Sequence, residues 1–222
     1  MPPEAEDIMV YRDISLIEKT GGRLHVAHIS SKKSVDLVRQ AKSKGLSVTC
    51  EVAPHHFTLT DEAVRGYDTN TKMSPPLRTS SDVEAMKEGL RDGTIDIIAT
   101  DHAPHDIADK QVEYQNACFG IVGLETALPL SLKLADEKIL SLNDIIKKLT
   151  STPAEIFNLK GGNLSLGQEA DILIFNPNNP YKIDVSKFYS KSKNSPFDGW
   201  HVKGKVMHTL VRGKTVYSAI SN

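Results

Sequence analysis

TIDIIATDHAPH, residues 94–105, runs a short apolar stretch directly into an acid and two histidines. Ile95, Ile97, Ile98 and Ala99 are apolar and mostly β-branched. About four to eight such residues between turn signals predict a buried strand. Asp101, His102 and His105 follow at its exit. Ionisable groups at the C-terminal ends of parallel strands are where α/β barrels carry out their chemistry. This segment therefore suggests both an architecture and a metal-dependent reaction.

The same arrangement recurs upstream. Residues 24–29 and 47–52 predict two further strands, one ending at His28 and one running into Pro54-His55-His56. A helix with proline and acids in its first turn precedes them and stops at Gly21-Gly22. A second, over 31–44, turns Val35, Leu37, Val38 and Ala41 inward and closes at Gly45. Ser81 with Glu84 predicts a capping box for a third helix, which ends near Gly93. Alternating helices and strands argue for a parallel sheet with right-handed crossovers. Further helices are expected over 124–136, over 142–149, and from Pro153 with Thr152 and Glu155 as its cap. Beyond Gly161-Gly162, stretches 169–175, 206–211 and 215–217 predict short antiparallel strands. The expected fold class is α/β: part of a barrel over 1–161 and a small β unit over 162–222.

Composition narrows the function classes. With 27 basic and 28 acidic residues the net charge is −1, so no overall field favours nucleic acid or an anionic membrane. No apolar run approaches the roughly 20 residues of a bilayer-spanning helix. Cys50 and Cys118 lack CxxC spacing and a secretory context, which predicts reduced thiols in a cytoplasmic protein.

Six of the eight histidines fall in three strand-end pairs: His25/His28, His55/His56 and His102/His105. If the strands are neighbours, these exits converge, and imidazole with carboxylate suits zinc or a related divalent ion. His28 lies at its strand's exit and is the expected ligand. His25 lies nearer the start and reads as structural. Asp101 can bind a metal or serve as base and then acid, the alternative being a turn or helix-cap aspartate. His105 with Phe119-Gly120 could hold a planar polar ligand through imidazole and main-chain hydrogen bonds. The diproline after Ser74 would stiffen the presentation of that serine, unless the loop is only a rigid connector. The reading requires the side chains of residues 28 and 101 to share one side of the sheet.

HVAHIS, EVAPHH, KMSPPLR, IATDHAPH and FGIVGLET, in that order, resemble the dihydroorotases of the amidohydrolase superfamily, as do LTSTPAEIFNL, LGQEADILIF and GKVMHTLVRGKTVY. The resemblance covers essentially the whole chain. It implies a partial (β/α)8 barrel and zinc-dependent, reversible interconversion of dihydroorotate and N-carbamoyl-L-aspartate in pyrimidine synthesis. One or two zinc ions would occupy a complete site. His28 matches a zinc ligand and Asp101 the zinc-binding catalytic acid/base. His105, Phe119 and Gly120 match substrate contacts. Ser74 stands where the family commonly has Asn, a shorter group with fewer hydrogen-bonding atoms. His55 and His56 match a motif without an assigned ligand role.

The family's first His-x-His strand, its middle-strand acid or modified lysine, and one further histidine have no counterpart in these 222 residues. The resemblance thus implies the C-terminal portion of a longer protein, inactive as a fragment. It also implies a homo-oligomer or association with aspartate transcarbamoylase. Two alternatives stand beside it: an allantoinase- or dihydropyrimidinase-like hydrolase, and a non-catalytic homologue acting as a structural partner.

Overall fold

Proline at the first helical position and acids in the first turn start α1 (Pro3–Thr20), and Gly21 at φ 72° ends it in a left-handed cap. The computed structural model describes residues 1–219. β1 (Leu24–Val26) leads to α2 (Lys32–Ser43), whose N-cap Ser31 accepts a hydrogen bond from the Ser34 amide. β2 (Val48–Val52) follows, then a succession of 3-10 turns over 54–71, then α3 (Ser80–Asp92) and β3 (Ile97–Ile98). The three strands form a parallel sheet in the order β1-β2-β3, with α2 and α3 as crossovers.

β1 is shorter than the expected 24–29, and β3 covers only Ile97–Ile98 of the apolar stretch from Ile95 to Ala99. At their exits, His28 at φ 37° and Asp101 at φ 49° turn the chain out of the extended region. Ladder-like bonds still continue past the strand ends, from Ile29 N to Glu51 O at 3.0 Å and from Ala99 N to Val52 O at 3.2 Å. The α3 cap also differs from expectation. Thr79 and Asp82 form the capping box, two residues ahead of Ser81 and Glu84. Both pairs satisfy the spacing, but Asp82 alone also accepts from the Lys32 amide at 2.9 Å, tying the starts of α2 and α3 together.

β2 alternates cleanly. Val48, Cys50 and Val52 are buried, while Thr49 and Glu51 are half-buried on the other face. The apolar face packs under Val10, Ile14, Val35, Val38, Met86 and Leu90 from the first three helices. Each such side chain contributes about 1.5–3 kcal/mol when fully buried. The opposite face is polar, and it carries the candidate site.

A short helix, α4 (Ile107–Lys110), lies in the long loop after β3. α5 (Ala127–Asp136) begins three residues later than expected, because Gly123 and Leu124 donate their amides to the His102 ring instead. α6 (Leu142–Leu149) has the predicted bounds. α7 (Ser151–Ile156) starts too early for Thr152 to act as its cap; Thr150 holds the N-cap position, and its hydroxyl donates back to Ile146 O.

β4 (Ile172–Lys182), β5 (His201–Val211) and β6 (Lys214–Ser218) form an antiparallel sheet with β5 in the centre. β4 runs through Pro177, Asn178, Asn179 and Pro180, residues that look like a turn in the sequence. A register irregularity between Asn176 and Pro180 absorbs them, and pairing resumes at Pro180↔Lys203. The β5–β6 hairpin turns at Arg212-Gly213, both at positive φ as a tight primed turn requires. The two parts of the chain share a second core: Leu59, Met73, Leu77, Ile121 and Leu130 pack with Ile183, Phe197 and Val202.

Candidate active site

The polar face of the parallel sheet gathers its groups at the strand exits. His28 and Asp101 sit just after β1 and β3, both non-glycine residues in the left-handed region. That conformation is uncommon, though Asp and His adopt it more readily than most, and it tends to occur at functional sites. The two residues are close enough for His28 to act on the Asp101 carboxyl. Burial raises the Asp101 carboxyl above its ordinary value, nearby His28 draws it down, and Glu51 pushes it up again.

His25 does not join them as a free group. Its Nδ1 lies 2.8 Å from Thr49 Oγ1 and its Nε2 3.1 Å from Glu51 Oε2, the structural role expected of it. Glu51 is the group that sequence reading missed. The signal for it was the alternation of β2, which places Thr49 and Glu51 opposite the apolar Cys50 and Val52.

His55 and His56 are buried, and both lie within electrostatic reach of His28. Burial pushes the His55 imidazole well down and His56 down to about 4, with His28 pressing in the same direction. His56 Nε2 donates to Pro75 O at 3.0 Å, whereas His55 Nε2 is buried with no hydrogen-bond partner. An orphaned imidazole nitrogen within electrostatic reach of His28 is the donor chemistry that a divalent cation accepts. The residues present fit a cation on this observation, although among the described residues His28 and Asp101 do not belong to a tight three-ligand cluster.

The loop after Asp101 is held from several directions. His102 Nδ1 accepts from the Gly123 amide at 3.0 Å, so the proton of a neutral ring is on Nε2. His105 Nε2 donates to Phe119 O at 2.7 Å. Gly120, at φ 114°, has no room for a side chain: an added Cβ would lie 2.4 Å from Ala103 Cβ. Its amide donates to Lys72 O, and its carbonyl accepts from Lys110 Nζ and Asn194 Nδ2. Gly120 is thus buried against Ala103 with its amide and carbonyl both engaged, and offers no free main-chain donor. Phe119 is 57% exposed, with Lys72 Nζ 4.6 Å from its ring centroid. Ser74 is exposed and precedes a cis peptide bond to Pro75.

Comparison with known proteins identifies the family. Dihydroorotases of Geobacter metallireducens and Syntrophus aciditrophicus are 54% and 52% identical over 217 residues, 98% of this chain and 51% of each relative. Among solved structures, the L-hydantoinase (dihydropyrimidinase) of Arthrobacter aurescens matches with a TM-score of 0.92 at 33% identity, over 98% of this chain and 50% of that one. A dihydropyrimidinase from Brevibacillus agri NCHU1002 gives 0.93 at 25% identity with the same coverage. The chain thus spans about half the length of the relatives it matches. The profile described as "Amidohydrolase family" matches residues 4–216, nearly the full length, and the chain belongs to that family.

Proposed function

We propose that this chain supplies the His28–Asp101 side of a metal-assisted cyclic amide hydrolase, and that its reaction is the reversible opening of dihydroorotate to N-carbamoyl-L-aspartate. The observation that carries the reading is the placement of His28 and Asp101 at strand exits of one sheet, close enough for His28 to act on the Asp101 carboxyl. The dihydroorotase relatives at 52–54% identity support the choice of ring. The β1-β2-β3 sheet is read as part of a (β/α)8 barrel over 1–161, with 162–222 as the small β unit.

His28 and Asp101 would hold the cation, with His55 Nε2 available nearby. When bound, zinc supplies Lewis acidity toward the amide carbonyl. Asp101 takes the proton from the attacking water and delivers it to the departing ring nitrogen. A carboxyl raised by burial suits that double duty. His105, with Nε2 committed to Phe119 O, presents its Nδ1 lone pair to a substrate donor. Phe119 provides a surface for the ring and Ser74 one hydroxyl, while Gly120 lets the loop pass close to Ala103.

Joining the chain in frame to the N-terminal half of the Geobacter metallireducens dihydroorotase tests the reading. Zinc-dependent hydrolysis of dihydroorotate is expected, and it should fall at least about a hundredfold in Asp101→Ala. A hybrid that folds and binds zinc without turnover counts against it. A second reading, a hydantoin or dihydropyrimidine ring, draws on the solved-structure neighbours and on Ser74. A panel of the three rings on the same hybrid separates the two.

A further inference from the structure

Away from the His28–Asp101 pair, a second set of donors converges in the loop between β3 and α5. One nitrogen of His105, a carboxylate oxygen of Asp109 and the Cys118 Sγ all lie within 4.8 Å of one another. Main-chain and capping bonds hold the three residues in place. The Cys118 amide donates to Asp109 O at 3.2 Å, and the Asp106 side chain caps α4, which carries Asp109. The carbonyl of Phe119 can only accept, so His105 Nε2 carries the proton and Nδ1 keeps an available lone pair. An N–H donated to a carbonyl is the outer-shell arrangement that orients metal-bound histidines and fixes their tautomer. Cys118 and His105 are half-buried and Asp109 is exposed, so the set opens to solvent on one side.

We propose that His105, Asp109 and Cys118 form a second metal site, separate from the hydrolytic one, that takes a thiophilic divalent cation such as Zn2+ or Cd2+. One imidazole, one carboxylate and one thiolate are three of the four ligands such ions take, and the exposed side leaves the fourth position to water. The thiolate excludes Mg2+ and Ca2+, which require oxygen donors. Cys118 loses its proton as the metal binds, and the proton leaves to solvent. The bound ion clips the two ends of the 105–118 loop together. It also withdraws the His105 lone pair from any ligand in the adjoining site, so the cation competes with a substrate that needs it. Binding itself does not depend on the proposed reaction.

Cadmium titration of the reduced chain, followed by the ultraviolet thiolate-to-cadmium charge-transfer band, tests this. Cys50 is a built-in control: it is fully buried, and its thiol is pushed up to about 12 by burial and Asp96. The His28–Asp101 pair has no sulfur and is silent in this band. We expect saturation at one Cd2+ per chain, no band in Cys118→Ser, and an unchanged band in Cys50→Ser. Asp109→Asn and His105→Ala should each weaken binding by at least the roughly ten- to hundredfold that even outer-shell partners command. Asp109 is exposed and Cys118→Ser nearly isosteric, so these variants keep the fold, as far-ultraviolet circular dichroism would verify. Absence of the band in the parent chain overturns the site. So does a band that survives Cys118→Ser, or one indifferent to both Asp109→Asn and His105→Ala.

Discussion

Asp101 is held in a state that works against the fold. Burial raises its carboxyl, so the folded chain binds a proton more tightly than the unfolded one. Its stability contribution is therefore largest at low pH and is lost as pH rises through the raised value. Asp101→Asn should then raise the melting temperature at neutral pH, and the gain should shrink on acidification below the usual carboxylate range. The buried histidines act in the opposite sense. Above pH 6.5 both states of His56 are neutral; as pH falls toward 4, the unfolded chain takes up a proton that the folded chain refuses. Lowering the His56 imidazole from 6.5 to about 4 costs the fold about 3 kcal/mol across that window, and His55 adds in the same direction. Urea melts between pH 7 and 4 should show this slope, and His56→Gln, which keeps a donor for Pro75 O, should flatten it. Histidines at strand ends were visible in the sequence, as was Asp101. That His55 and His56 would be buried beside His28 was not, because this follows from the 3-10 turn at Pro54 and from contacts with Pro75, 19 residues away.

Helix and strand order was legible from periodicity and from Gly and Pro punctuation, whereas ends and caps were not. Thr79–Asp82 and Ser81–Glu84 obey the same spacing, and a tertiary bond from Lys32 chooses between them. Thr79→Ala should cost about 1 kcal/mol, read from the denaturation midpoint, while Ser81→Ala should cost much less. β4 was half legible: its apolar start stands out, but its Asn- and Pro-rich continuation is a strand only because β5 accepts it across an irregular register. Packing between elements is set by small residues. A Cβ on Gly89 of α3 would lie 3.0 Å from Ile95 and 3.1 Å from Val35. Gly89→Ala should therefore cost about 1–3 kcal/mol by overpacking, despite the better helix propensity of alanine.

Across the whole molecule, the two sheets are joined by shared packing rather than by strand pairing. Leu130 from α5 is fully buried in the core that also takes Phe197 and Val202, and Gly204 of β5 faces Leu132, whose Cδ1 would lie 2.2 Å from an added Cβ. Leu130→Ala should cost about 2–5 kcal/mol and destabilise both sheets in one transition, followed by circular dichroism and by the fluorescence of Trp200. The sequence showed a change of character near Gly161-Gly162 but not this coupling, which rests on contacts distant along the chain.

Asn194 gives that coupling a sharper form. From far downstream, its amide donates to Ala103 O and Gly120 O, and its Oδ1 accepts from the His105 amide at 3.4 Å. It acts as a keystone: one side chain of the late segment locks the arch formed by residues 103–120. Exchanging that segment for a homologous one would thus retune the arch as well as the periphery, and a graft that omits an equivalent amide would leave the arch to sag.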